Sequence, residues 1–155
     1  MKEKSSLTKK DQEIIHFASC ILEYDDLHFD ELCEERELEK LNKELDDLLE
    51  NGETYEIKDI YNPPKPFLKE IEIDCKKDKL KHITKKLLEN EKLIKKHAKK
   101  IGNEEQILEW YEKYKENPLP IPPVFIELKM MEICKQINKL IGYRNLEPDK
   151  NEQIR

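Results

Sequence analysis

The chain has 155 residues, of which 41% are charged and 37% hydrophobic, with a net charge of −6 and only 3 glycines. An ordinary soluble domain is roughly 25% charged, so this composition suits buried helical stripes better than a thick, closed core. It also excludes a membrane-spanning helix, which takes about 20 apolar residues in succession, whereas the longest apolar runs here are like Val124-Phe125-Ile126.

The first helix is expected to start at Thr8, where Thr8-Lys9-Lys10-Asp11 is a relative of the capping box. Ile14, Ile15, Ala18, Ile21 and Leu22 then share one helical face, and Tyr24-Asp25-Asp26 reads as a break. A second helix, capped by Asp30, carries Leu38, Leu41, Leu45 and Leu48 at the 3-4-3 spacing of a coiled-coil seam, and Asn51-Gly52 reads as its stop.

The next stretch differs in kind. Tyr55 and Ile57 alternate with polar residues, Asn62-Pro63-Pro64-Lys65-Pro66 is extended, and Ile71, Ile73 and Cys75 alternate with Glu72 and Asp74 like a strand. A single strand is not stable alone, so this stretch is either half of a minor β-hairpin or an extended arm lying on something else.

A long third helix then carries Leu80, Ile83, Leu87, Ile94 and Ile101 in a heptad whose remaining seam positions are Asn90 and His97. Gly102 ends it. Asn103 with Gln106 resembles a new capping box, opening a short helix with Ile107, Leu108, Tyr111 and Tyr114. A second proline spacer runs from Asn117 to Pro123, and a last helix to Gly142 carries Ile126, Met130, Ile133, Ile137 and Leu140 in one row.

The expected fold is therefore all-α: an elongated bundle of about five coiled-coil-like helices joined by extended proline-containing segments. Its divisions are an acidic helical region 1–52, an extended arm 53–75, a lysine-rich helix with a short aromatic helix 76–116, a proline spacer with an amphipathic helix 117–142, and a loose polar tail 143–155.

Charge is distributed in opposed blocks. Residues 11–53 hold 16 acidic side chains against Arg36, Lys40 and Lys43, while residues 76–100 hold 11 lysines against Asp78, Glu89 and Glu91. Blocks of opposite sign imply self-pairing or two different partners. The lysine block, with Lys95, Lys96, Lys99 and Lys100, is the candidate polyanion surface. Nucleic acid is disfavoured as the partner, because the whole chain is acidic and the lysine helix has no aromatic residue to stack on bases.

Chemistry is sparsely signalled. No phosphate loop, nucleophile elbow or HExxH motif occurs, so no catalytic residue is assigned and the protein is not expected to be an enzyme. His16, Cys20, His28 and Cys33 fit no zinc spacing, and no metal or cofactor is expected. Cys20, Cys33, Cys75 and Cys134 form no CxxC pair, and no secretory signal is read at the first residues. The thiols are expected to be reduced and the compartment intracellular, cytoplasmic or nuclear without a means of separating the two.

These readings point to a non-catalytic structural or adaptor subunit of a larger protein assembly, a scaffold that meets its partners through heptad stripes and extended arms. A homo-oligomer is compatible, a membrane partner is not. The expected interaction residues are Trp110, Tyr111, Tyr114, Leu119, Ile121, Phe125, Met130, Ile133 and Ile137, rich in the aromatic and Met side chains of interface cores. The alternatives are a nucleic-acid or polyanion binder working through residues 76–100, and a small regulatory inhibitor of a larger enzyme.

Overall fold

A computed structural model describes residues 7–144, and among these every regular element is helical. There are four α-helices, α1 Lys9–Glu50, α2 Lys65–Ile101, α3 Glu104–Glu116 and α4 Ile126–Leu140, with a 3-10 turn at Pro123–Phe125 before α4. None is long and apolar enough to cross a membrane. Most of the expected polar tail, residues 145–155, lies outside the described residues.

The all-helical class is as expected, while the helix count is corrected from about five to four. α1 runs without interruption through Tyr24-Asp25-Asp26. Asp and Tyr each cost only about 0.7 kcal/mol in a helix interior, and neither removes a backbone donor as proline does. Ile21 before this stretch and Leu27 after it are both buried, which outweighs so small a deficit.

No β-hairpin forms among the described residues. The strand-like run from Ile71 to Cys75 belongs to α2, which starts at Lys65 with Pro66 in its first turn, where proline's missing N–H costs nothing. In the helix, Ile73 is buried, while Ile71 is 47% exposed and Cys75 is exposed. The alternation of apolar residues is genuine but uninformative, because only one of them reaches the interior.

The chain forms two compact units. One comprises residues 7–24 and 89–144, the other Asp25–Leu88. In the second unit α1 and α2 run antiparallel on either side of a loop at residues 51–64. Lys76 bridges Glu34 at 2.8 Å and also pairs with Glu37. Seven residues further along α1 and seven back along α2, Lys69 meets Glu44 at 3.3 Å. The loop is held by Asp59, which accepts from the Tyr61 N–H at 2.9 Å and from Asn62 Nδ2 at 2.8 Å. Those bonds keep the Asp59 carboxyl below its usual range.

The first unit holds the main core. α1 supplies Ile14, Phe17, Ala18 and Ile21, α2 supplies Ile94, Ala98 and Ile101, α3 supplies Ile107, Tyr111 and Tyr114, and α4 supplies Ile133 and Ile137. The segments are again antiparallel: Glu13 meets His97 at 2.8 Å, and seven residues on, Asn90 Nδ2 donates to the Cys20 carbonyl at 3.0 Å. Gly102 and Asn103 both adopt positive φ, 94° and 55°, and this pair turns the chain from α2 into α3. A left-handed conformation is unstrained for Gly and among the least costly for Asn of the other residues. The expected capping box at Asn103 is not formed, because its amide donates instead to the Gln106 side chain.

At the same end of this unit, where Lys9 and Lys10 lie beside Lys100 and Ile101, the capping box of α1 is complete. The Thr8 N–H donates to Asp11 Oδ2 at 2.9 Å, and the Asp11 N–H donates to Thr8 Oγ1 at 3.1 Å. Asp11 also accepts from Arg144 at 2.9 Å, and Thr8 Oγ1 shares a 2.6 Å hydrogen bond with the Tyr143 hydroxyl.

Three substitutions test this helical reading. Ile73→Ala should cost about 2–4 kcal/mol of stability and Ile71→Ala under about 0.5, whereas a strand with a covered face would penalise both alike. Asp26→Pro, on an exposed helical position, should cost about 3 kcal/mol or more, while a true break would accept it. Urea unfolding followed by circular dichroism measures each.

Candidate functional site

The expected interaction residues divide according to which side of the first unit they face. Tyr111, Tyr114, Ile133 and Ile137 lie in its core and offer no surface. Trp110 is half-buried between Phe17, at 5.9 Å between ring centroids, and Tyr114, stacked at 5.1 Å, and its indole N–H donates to Gln136 at 2.9 Å. Leu119 and Met130 pack against this core, Ile121 is half-buried, and Phe125 alone of the nine is fully at the surface, 54% exposed. The aromatic cluster thus seals the interior, with burial pushing the Tyr111 hydroxyl far above its usual pKa and the nearby Glu91 adding to the effect.

What remains outside is the opposite face of the last helix. Val124 is 79% exposed and Met131 66%, with Ile126 and Leu128 also in solvent. This follows from the apolar content of α4, since Ile133 and Ile137 fill the inward stripe and Leu128 and Met131 fall off it.

Leu128, Met130, Met131 and Cys134 form one wall of a groove of about 650 Å³, and Leu7, Ile14 and Ile15 form the other. Charges rim it: the Asp11–Arg144 pair at one place, Glu132 and Lys135 at another. Two polar residues in the lining are themselves buried, Asp11 and, at 4% exposure, Asn138. Its amide donates to the Cys134 carbonyl at 2.8 Å, and its Oδ1 accepts no hydrogen bond among the described residues. A buried acceptor left without a donor costs about 1–3 kcal/mol.

The sequence carries a trace of this groove in the excess of apolar residues around the last helix. It holds no sign that Leu7 and Ile15, more than 100 positions away, supply the facing wall.

Other candidate positions are also placed. Lys95, Lys96, Lys99 and Lys100 are all exposed on α2, with Lys95 at 4.0 Å from Glu91. His16, Cys20, His28 and Cys33 all sit on α1, and no set of them converges. Instead Glu13 and His16 of α1 meet His97 of α2, their potential donor atoms all within 4.8 Å of one another. Burial raises the pKa of the Cys20 and Cys134 thiols, which keeps them protonated and poorly nucleophilic at neutral pH.

Comparison with known proteins finds no matching family model, no similar curated protein and no similar solved structure.

The division into core and groove face has a direct readout in stability. Ile133→Ala should cost about 3 kcal/mol through the cavity it leaves, whereas Leu128→Glu and Met131→Glu, on the open face, should each change stability by less than about 0.5 kcal/mol. Thermal and urea denaturation of the three variants distinguish these outcomes.

Proposed function

We propose that this protein is a non-catalytic adaptor that holds a protein partner in the groove between the start of α1 and the outer face of α4. The observation that carries this reading is the exposure of Val124, Phe125, Leu128 and Met131 together in a chain with charge enough to cover them. Scattered apolar surface residues need no explanation, but a contiguous patch rimmed by polar groups is the ordinary mark of a docking site. Met is also well suited to adapt its shape to a partner.

The partner that fits is an amphipathic helix. Its apolar face would lie along Leu128, Met131 and Ile15. Opposite charges on the rim, Glu132 and Arg144 among them, would set its orientation more than its affinity.

In this proposal the heptad stripes act within the chain, α1 and α2 pairing as an antiparallel coiled coil, and the partner is met by what those stripes leave outside. The loop with Ile57, Ile60 and Tyr61, all strongly exposed, is the second surface such an adaptor would use, in place of the extended arm.

One experiment decides between this and the polyanion reading. Partners are co-purified from the native source and identified, and affinities are measured with the purified pair. Leu128→Glu with Met131→Glu should weaken binding by about 2 kcal/mol, roughly 30-fold, as a hot-spot loss. Substituting Lys95, Lys96, Lys99 and Lys100 by Glu should leave it nearly unchanged. The reverse pattern, with affinity falling steeply as salt rises, would assign the function to the lysine face instead.

A further inference from the structure

The geometry points to a divalent transition-metal site formed by Glu13, His16 and His97, of the class that takes zinc. The site is independent of the docking groove and lies on the other helix pair of the first unit. Glu13 and His16 are three residues apart on α1 and therefore share a face. His97 reaches them from α2, on the antiparallel neighbour.

The distances are close to what an ion needs. A tetrahedral site with bonds of about 2.0–2.2 Å holds its ligand atoms about 3.3 Å apart. Glu13 Oε1 and His97 Nδ1 are 2.8 Å apart, so they would open by about half an ångström. The third donor lies within 4.8 Å of both, and its imidazole is the exposed one of the three, free to turn inward. The two rings already stand 5.4 Å apart between centroids and tilted by 56°. The small change required falls on the side chain least constrained by packing.

The donor set also selects the ion. Two imidazoles and one carboxylate suit zinc, nickel or cobalt, whereas calcium and magnesium demand oxygen ligands almost throughout. Three protein ligands leave a fourth position for water, as in open zinc sites.

Lysines temper the affinity. Lys100 acts on Glu13, and Lys9 and Lys10 line the same hollow. An ion there would be held more weakly than in an all-cysteine structural site, and its binding would tie α1 to α2 at the end of the unit.

The test uses the full chain stripped of metal, titrated with Zn²⁺ in competition with a chromophoric chelator, and with Co²⁺ read by its visible absorption. The expected result is a single ion per chain, a tetrahedral Co²⁺ spectrum, and a melting temperature that rises with zinc. His16→Ala removes an exposed ligand, so the metal-free protein should melt as before while affinity falls at least about tenfold. Glu13→Gln should likewise weaken binding, and His82→Ala, an exposed control on α2, should not. The inference is overturned if zinc up to millimolar concentration does not bind, or if His16→Ala and Glu13→Gln bind it as tightly as the parent.

Discussion

The register between α1 and α2 is the constraint on which the rest of the first unit depends, and Asn90 is the residue that fixes it. Its side chain is buried among apolar residues such as Ile21 and Ile94, and its amide finds one acceptor, the Cys20 carbonyl. A shift of either helix by one turn would take the Nδ2 donor away from that carbonyl in an apolar setting, at a cost of about 1–3 kcal/mol. A polar residue at one such position typically sacrifices stability for a single alignment. Once that alignment is set, Glu13 faces His97, and α3 and α4 find Phe17 and Ile21 where they can cover them.

Charge has a different role in the second unit. The carboxylates of Glu34, Glu37 and Glu44 stand opposite Lys76 and Lys69, so the acidic and basic blocks of the sequence do meet. Glu37 is held below its usual pKa range mainly by the hydrogen bond from Lys76, with Lys79 adding to the field. Yet these groups are partly open to solvent, and such pairs are worth about 0–1 kcal/mol each. They reject wrong alignments more effectively than they stabilise the right one. The apolar contribution here is thin, with Pro66, Ile73 and Leu27 its buried members among the described residues.

How legible all this was in the sequence depended on how local the signal was. Helix ends were readable at Gly52, Gly102 and Gly142, because a positive φ demands a residue that tolerates it at that one position. The Thr8–Asp11 cap was readable for the same reason. The apparent break at Asp25-Asp26 was not, since its weak propensity lost to burial on either side. The run from Ile71 to Cys75 fits both a period of 2 and a period of 3.6, and only the position of Ile73 in the packed unit decides between them. The interaction surface was legible as a region but not as a face. Apolar periodicity showed that α4 has too many hydrophobic residues for one stripe, and could not say that Tyr111 and Ile133 are inside while Met131 is outside. The Glu13–His97 contact joins residues 84 positions apart, with no motif spacing to announce it.

The bond between Thr8 and Tyr143 has a topological consequence. It brings together two points separated by 135 residues of chain, so the described polypeptide is nearly a closed ring. Thr8 and Tyr143 thus share one spot. For binding elements fused at these two points, the effective concentration of one about the other would be set by their own short tethers, not by the long contour between them. Two weak binding elements placed there would act as a single bidentate one, and a partner grasping both would close the ring more firmly at the Asp11–Arg144 clasp beside it.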